Sequence, residues 1–446
     1  MSGINLVYEL INGFEEDFLV NETDSETQKT ELVRGYLICK NFIFYQLVET
    51  CIDTNSKPVP QTKTTQEKIL EIIQSIWVFV KLILNQKNSS DLFIGSVIDY
   101  RKIEKRWEHR LFENAIETSS EPYVCMSSKL ISKSYSLNYD VEISCFPSVI
   151  NLLKQFKHSL KNDLLSLEIT KRLSHYLKNN KMQLTINQDD ILNSIVFYEA
   201  ERTIYTIFFR LLKPQKIHLS DEVFTGKIVA ANSLNIPVLE YQHGIGVKQS
   251  YHLKQKLHLY SQAIAKPNFV MVYDSFFYSE ILKNGFYTKE ALIINGISEL
   301  KRLKTKSISR NNNIYKVLII NQPIAEIEEE VVKMLELFIK SLSKKKISIQ
   351  LKNHPRQTEQ GAFGNDIEII PLETSVAEAI INSDLVIGFT STALIESSML
   401  GVKTFTIPTK TEPLGIHSIL GNSDYFDSIK IKNVKEITEY LKNLTS

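Results

Sequence analysis

The chain has 446 residues, which at about 150 residues per domain corresponds to two or three domains. Its composition, 43% hydrophobic, 10% aromatic and 23% charged, is that of a folded chain and excludes global disorder. The 52 basic and 51 acidic residues give a formal net charge of +1, so no whole-molecule field attracts a polyanion and no nucleic-acid partner is expected.

The cysteines and the N-terminus indicate the compartment. The cysteines lie far apart, without a CxxC pair or a histidine at metal-ligand spacing, which favours neither a zinc site nor a disulfide framework. Acidic residues occupy the N-terminal stretch where a signal peptide carries basic ones. The apolar run 76–84 is too short for the roughly 20 residues that span a bilayer, so we predict a core helix there. These features predict a cytoplasmic protein that needs no metal and no cofactor.

The first 180 residues show helical periodicity at 65–84 and 149–177 but no clear topology. From residue 189 onward, apolar runs typical of strands alternate with helical patterns. In chain order these are a helix at 189–212, a strand at 216–220, a helix at 224–235, strands at 238–242 and 268–274, a helix at 275–285 and a strand at 291–296. This alternation predicts parallel strands joined by crossover helices.

A second α/β series follows a stretch rich in Lys, Arg, Ser and Asn, which is typical of an exposed linker. We therefore predict an N-terminal, acceptor-side domain at 1–300, a linker at 301–313 and a C-terminal, nucleotide-binding domain at 314–446. The C-terminal series ends in a helix at 434–444, which we expect to pack back on the N-terminal domain. Open α/β sheets bind ligands at the carboxyl ends of their strands, so the site motifs are expected in a cleft between the two domains.

The first motif follows the N-domain strand at 238–242 and contains Glu240, Gln242, His243 and Gly244. The glycine permits close backbone approach to a ligand, and a histidine at a strand end is available as a general base. A tight turn with a structurally satisfied histidine is the alternative. We predict that His243 and Glu240 are catalytic and that Gln242 and Gly244 form a loop at the cleft.

The second motif, at the end of the strand 347–352, contains Lys352, His354 and Pro355. Cations and an imidazole at a strand end suit a phosphate, and the proline stops the strand so that the histidine lies at its tip. A solvated basic loop would have the same composition.

The third motif, Ser391 and Thr392, lies between the strand 384–389 and a helix that contains Glu396. Hydroxyl groups and free backbone N–H groups at a helix start favour an anion, although an ordinary helix cap explains one hydroxyl equally well. Glu396 lies about one turn into the helix, where it faces a ribose or interacts with the helix dipole.

The fourth motif places Asp99 beside Arg101 and Arg106 after a short apolar run. Asp99 is a reserve candidate for the general base, and a solvated helix start is the alternative. The sequence contains no GxxxxGK[ST], GxSxG, HExxH or GxGxxG motif, which removes the P-loop, α/β-hydrolase, zincin and classical dinucleotide interpretations.

Together, QHG after an N-domain strand, HP at a C-domain strand tip and a paired S/T before a helix resemble bacterial surface-polysaccharide glycosyltransferases of the GT-B fold that use CMP-sialic acid or CMP-Kdo. The resemblance covers about residues 189–408. It implies an α/β, GT-B-like fold with two Rossmann-like domains facing a cleft. It also implies that His354, Pro355, Ser391 and Thr392 hold CMP.

The resemblance further implies transfer of a CMP-activated sialic-acid-like or Kdo-like sugar onto a capsular, O-antigen or lipooligosaccharide acceptor. The acidic D/E-D-G motif of many such sialyltransferases is absent, and QHG takes its place, as in the Kdo-transferase-like group. Teichoic-acid polymerases that use CDP-glycerol combine similar HG and HP motifs, so a CDP-polyol phosphotransferase is the alternative. A GT-B-like nucleotide-sugar epimerase and a non-catalytic binding partner are two further alternatives.

The expected partners are a nucleotide-sugar donor and a glycan or lipid-linked glycan acceptor. Lipid-linked acceptors lie at the inner face of the membrane, and the basic stretch 301–310 or aromatic N-domain helices would contact anionic headgroups there. Peripheral contact with the cytoplasmic membrane is therefore also expected.

Overall fold

The fold is described by a computed structural model. The described residues are 3–52, 69, 73, 77, 91–95, 100–103, 106–119, 122–126, 141–143, 146–182, 184, 186–220, 225–242, 251–261, 265–304, 314–322, 325–342, 347–354, 367–372, 374–389, 391–407 and 429–444.

The N-terminal region combines long helices with a parallel sheet. Its helices are α1 Gly3–Gly13, α2 Glu26–Ile52, α3 Glu113–Thr118, α4 Phe146–Leu153, α5 Leu160–Asn179, α6 Gln188–Leu212, α7 Gly226–Ser233, α8 His258–Ser261, α9 Ser275–Asn284 and α10 Ser298–Lys304. Its parallel strands are β1 Asp91–Gly95, β4 Pro122–Met126, β5 Val141–Ile143, β6 Lys216–Ser220, β7 Val238–Tyr241, β8 Phe269–Val272 and β9 Leu292–Ile294. They form a seven-stranded sheet in the order β5-β4-β1-β6-β7-β8-β9.

The C-terminal region is a smaller parallel sheet with helices. Its strands are β10 Tyr315–Ile320, β11 Ile347–Lys352, β12 Ile367–Ile370, β13 Leu385–Gly388, β14 Lys403–Thr406 and β15 Ile429–Ile431. They pair in the order β12-β11-β10-β13-β14-β15. The helices of this region are α11 Ala325–Leu342, α12 Val376–Ile381, α13 Ala393–Met399 and α14 Val434–Asn443.

Both sheets are wound in the same way. The chain builds each sheet outward in one direction from its first strand and then returns to build the other side. The strand order therefore reverses between β1 and β6 in the first sheet and between β10 and β13 in the second. In sheets of this kind the crevice at the reversal point is the usual ligand site. The protein thus has the predicted α/β, GT-B-like fold with two Rossmann-like sheets.

Local sequence explains several element ends. Asp274 accepts hydrogen bonds from the backbone N–H groups of Phe276 and Phe277 and so caps α9, which ends at Gly285 in the left-handed conformation. Lys213 ends α6 in the same conformation. The helical periodicity at 149–177 is confirmed and is divided between two helices, because a 3-10 turn follows α4 and the Ser159 side chain caps the start of a separate α5.

Other N-terminal expectations are also corrected. Residues 100–103 and 106–109 pair as an antiparallel hairpin, strands β2 and β3, and not as a helix start. The predicted core helix at 76–84 lies outside the described residues except for Trp77, which is helical and 63% exposed. Strands β4, β5 and β15 are additions to the predicted elements.

The predicted linker differs in part from expectation, and the last helix packs in the C-terminal core. Residues 301–304 of the predicted linker are helical, as part of α10. Helix α14 buries Ile437 and Leu441 in the core around the six-stranded sheet, together with Phe338 of α11. Within the described part of the chain, no helix is both long and apolar enough to cross a membrane.

Candidate functional site

The carboxyl ends of β10, β11 and β13 define the candidate donor site. Asn321, the residue after β10, donates its side-chain amide to Asn353 Oδ1 at 3.0 Å and its backbone N–H to the Lys352 carbonyl at 3.0 Å. These bonds fix the start of the loop that carries His354, which is half-buried. His354 therefore follows the strand next to β10, one strand away from the point where the strand order reverses. Asn321 was missed by sequence reasoning, because an isolated asparagine after a strand has no distinctive pattern.

The hydroxyl pair lies on the other side of β10, after β13. Ser391 Oγ accepts a hydrogen bond from the Ala393 N–H at 3.2 Å, and Thr392 occupies the N-cap of α13 without a side-chain capping bond. Both residues are half-buried. The structure thus places His354 and the hydroxyl pair at the ends of the two strands that flank β10, on one edge of the sheet.

The Lys352 ammonium is engaged by the protein itself. Its side chain is buried, and its ammonium donates to the carbonyl groups of Pro371 and Leu372 in the loop after β12. Backbone carbonyls accept these bonds in place of a ligand's phosphate oxygens. In this structure Lys352 fixes the loop beside the candidate site, and its contact with a donor phosphate stays a prediction.

Glu396 is likewise engaged by the protein. Its carboxylate is buried and forms an ion pair with Arg110, which follows the β2-β3 hairpin of the N-terminal region. The two side chains are only 10% and 7% exposed. Contact between Glu396 and a ribose is therefore not what the structure shows. The pair instead joins the C-terminal domain to the N-terminal domain next to the hydroxyl pair.

A second contact between the domains runs through α10. The Glu299 side chain accepts a hydrogen bond from the Ser375 hydroxyl, which lies between β12 and α12. The Glu299 backbone N–H donates to the Arg110 carbonyl at 3.1 Å, and Ser298 Oγ donates to the Leu111 carbonyl at 2.8 Å. Segments that follow strand carboxyl ends in both sheets therefore meet, which places the candidate donor site beside the contact between the domains.

On the N-terminal side, Glu240 and Gln242 support the sheet. Glu240 lies within β7 and is completely buried, so its carboxylate is not exposed to an acceptor in this structure. Gln242 is also buried. Its backbone N–H donates to the Met271 carbonyl at 3.0 Å and its Oε1 accepts from the Tyr273 N–H at 3.1 Å, so it fixes the end of β8 and is not an open cleft loop.

A buried histidine in β6 was not singled out from the sequence. His218 stacks on Phe93 with ring centroids 4.1 Å apart, and its Nδ1 lies 3.0 Å from the Tyr241 hydroxyl. Burial, assisted by Lys216, lowers the pKa of His218 to about 3, so the imidazole is neutral at physiological pH. Burial also raises the pKa of Tyr241. A histidine inside an apolar strand has no sequence signature that separates it from an ordinary core residue.

Four of the predicted site residues, Asp99, His243, Gly244 and Pro355, lie outside the described residues. Among the residues that the structure does describe, no group of three or more His, Cys, Asp or Glu side chains is placed to hold a metal ion. The described part of the site therefore consists of one imidazole, two hydroxyls, backbone N–H groups and an ion pair between the domains.

Two doubly wound parallel sheets, with polar groups at the strand ends of the second sheet, define an α/β protein of GT-B-like architecture. A sequence model of the alpha-2,8-polysialyltransferase (POLYST) family matches residues 103–409, more than half of the chain. The chain belongs to this family. No curated protein sequence matches the chain.

Solved structures with a similar fold are distant in sequence. A Staphylococcus aureus MnaA structure with UDP has 12% identity and a TM-score of 0.46, with 80% of this chain and 88% of that chain covered. UDP-GlcNAc 2-epimerase from Neisseria meningitidis bound to UDP-GlcNAc has 12% identity and a TM-score of 0.43, with 79% and 90% covered. The glycotransferase of kitacinnamycin has 10% identity and a TM-score of 0.43, with 80% and 90% covered.

Proposed function

We propose that the protein transfers a CMP-activated, sialic-acid-like or Kdo-like sugar onto a bacterial capsular, O-antigen or lipooligosaccharide acceptor. The observation that carries the proposal is the position of His354 and of the Ser391–Thr392 pair, inside the region matched by the polysialyltransferase family and on both sides of β10. The proposed donor site is the crevice at this reversal of strand order.

In the proposed reaction, an acceptor hydroxyl attacks the anomeric carbon of the donor sugar while the bond to the CMP phosphate breaks. The negative charge that develops on the departing phosphate is stabilised by hydrogen bonds from the His354 imidazole and from the hydroxyls of Ser391 and Thr392. Asn321 and Lys352 hold the adjacent loops in place through the contacts described above. Neither loop then needs to reorganise during the reaction.

Removal of the acceptor proton is assigned to His243, with Asp99 as the second candidate. Both follow strands of the N-terminal sheet in sequence, on the acceptor side. Glu240, two residues before Gln242 in the same motif, is excluded from this step by its complete burial. Histidine is the side chain that most often acts as a general base in enzymes.

The first test compares CMP, CDP, UDP, GDP and dTDP by thermal shift, because a ligand of the native state raises the melting temperature. CMP is expected to stabilise the protein most, and His354→Ala is expected to abolish that stabilisation. His175→Ala, at an exposed histidine in α5, is the matched control and is expected to leave the CMP shift unchanged. A larger shift with UDP, GDP or dTDP would overturn the CMP assignment.

The second test measures transfer with a CMP-sugar donor. His354→Ala is expected to lower turnover by about 100-fold, as is typical when a donor to a developing anion is removed. Ser391→Ala is expected to have a smaller effect, since Thr392 remains. Full turnover in both variants would show that this edge of the sheet is not the donor site. Consumption of the sugar nucleotide without any acceptor and without release of CMP would indicate an epimerase.

We also propose peripheral contact with an anionic membrane, at a corner of the N-terminal region that differs from the predicted basic stretch. Arg302 of that stretch is bonded to Asn114 and Glu117, and residues 305–310 lie outside the described residues. The corner formed by the end of α4 and the start of α5 exposes large apolar side chains next to lysines. These are Leu152, Phe156, Leu160 and Leu164, with Lys154, Lys157 and Lys161.

Apolar side chains next to lysines favour the interface of an anionic bilayer, where each basic residue contributes about 1 kcal/mol. Cosedimentation with vesicles of phosphatidylglycerol and phosphatidylethanolamine tests this contact. Phe156→Ser, at a residue 77% exposed, is expected to reduce binding several-fold. Leu259→Ser, at a residue 70% exposed elsewhere in the domain, is the matched control. Equal binding by both variants would contradict the contact at this corner.

A further inference from the structure

A groove of about 600 Å³ runs along α6 in the N-terminal domain, between α2 and α4, and reaches the first residues of α7. Residues of α6 from Asp190 to Tyr205 line it at helical spacing. Because α7 follows β6 in the chain, the α7 end of the groove lies toward the carboxyl edge of the seven-stranded sheet. The reversal of strand order between β1 and β6 lies at the same edge, where ligands bind in sheets of this type.

The groove has an aromatic floor and a polar rim. Phe197 and the buried Tyr198 lie along the floor, whereas Asn41, Asp190 and Asn193 are exposed at the rim. A sugar ring packs its C–H face on an aromatic side chain, and its neighbouring hydroxyls donate to carboxylates and accept from amides. The groove therefore presents the set of groups that a hydroxyl-rich ligand needs.

The charges in the groove balance each other. Lys227 Nζ lies 3.2 Å from Glu201 at the α7 end, and the Lys154 ammonium donates to Asn193 Oδ1 at 3.3 Å. With Asp190, the described lining carries two cations and two anions. A polyanionic chain needs an excess of positive charge along its track, which this lining does not provide. The lining favours an uncharged ligand over a chain of acidic sugars.

We propose that this groove binds uncharged, hydroxyl-rich sugar units of the acceptor glycan, apart from the site of the CMP-activated donor. The assignment to the acceptor rests on the proposed transferase function, whereas saccharide binding itself does not. The acidic end of the acceptor would then lie in the cleft, and the neutral sugars behind it would lie along α6.

Saturation-transfer NMR with the full-length protein tests the groove. The probes are three neutral disaccharides, lactose, cellobiose and maltose, and one acidic probe, a trimer of α2,8-linked sialic acid. At least one neutral disaccharide is expected to bind. Asn193→Ala is expected to weaken that binding by about fivefold to tenfold, the effect of losing one or two hydrogen bonds. Asn179→Ala, at an exposed asparagine at the end of α5, is the matched control and is expected to have no effect.

The thermal shift with CMP separates the outcomes and shows that each variant is folded. CMP stabilisation without binding of any neutral disaccharide would overturn the groove proposal and leave the proposed function standing. The groove proposal would also be overturned if binding of a neutral disaccharide were unchanged in Asn193→Ala. The same holds if the acidic trimer bound more tightly than the disaccharides and its binding depended on Asn193. Disaccharide binding that depends on Asn193 without any CMP stabilisation would support the groove and count against the proposed function.

Discussion

The two sheet regions differ in how they place polar groups. The described part of the N-terminal region buries ion pairs among its helices, such as Lys40 with Glu15 and Lys227 with Glu201. In the described part of the C-terminal region, Lys352 and Glu396 are the buried charged residues, and both lie after or near strand ends. A core without internal charges leaves long apolar runs in the sequence. Buried charges such as Glu15 and Lys40 interrupt those runs, and both lie in the first 180 residues, where the sequence pattern did not define a topology.

The largest expected effect is the loss of stability when the buried ion pair of the N-terminal region is broken. Lys40 Nζ lies 2.8 Å from Glu15 Oε1, with both side chains 2% exposed. Lys40→Met leaves the carboxylate buried without its cation, which is expected to lower the free energy of unfolding by about 3 to 5 kcal/mol in urea titrations. The double variant Lys40→Met/Glu15→Gln is expected to recover part of this loss.

An exposed ion pair in the C-terminal region is the control for that variant. Lys333 lies 3.3 Å from Glu330, with side chains 65% and 41% exposed. Lys333→Met is expected to change the free energy of unfolding by less than about 0.5 kcal/mol, because water already solvates both charges. Equal losses for Lys40→Met and Lys333→Met would show that the contrast between the two regions has no energetic basis.

The strands of the C-terminal sheet other than β15 could be predicted, because strands such as β10, β11 and β13 are apolar runs that end at polar residues. The positions of His354 and Ser391 at strand ends followed from the same runs. The partners of Lys352 and Glu396 and the burial of Glu240 could not be predicted, because they depend on tertiary packing. Glu396 and Arg110, for example, are 286 residues apart in the sequence. Sequence patterns therefore predicted the position of the candidate site, but not the hydrogen bonds and ion pairs that its charged residues form.

The ion pair between Arg110 and Glu396 belongs to both regions and gives the next largest expected effect. Arg110→Met, Glu396→Gln and the double variant form a thermodynamic cycle in urea unfolding. Because both side chains are largely buried, we expect a coupling energy of about 1 to 3 kcal/mol. A coupling near zero would mean that this ion pair does not contribute to the contact between the two domains. CMP thermal shifts on the same variants would show whether the pair also supports the donor site.

At neutral pH the smallest expected effect concerns His218, whose pKa burial and Lys216 lower to about 3 from an ordinary value of about 6.5. Below about pH 6.5 the unfolded chain binds a proton that the folded chain does not. Burial of the neutral imidazole therefore makes its full contribution to the free energy of unfolding above that pH. This contribution decreases as the pH is lowered toward 3, by up to about 1.4 kcal/mol per pH unit. His218→Gln removes this titration. Urea unfolding between pH 7 and pH 4 is expected to show a shallower acid slope for the variant than for the wild type.

Asp91, Lys216 and Tyr241, which face the imidazole, are unchanged in the variant, so their titration largely cancels in the difference. Parallel slopes would mean that His218 takes up its proton in the folded protein near neutrality, contrary to its burial against Phe93.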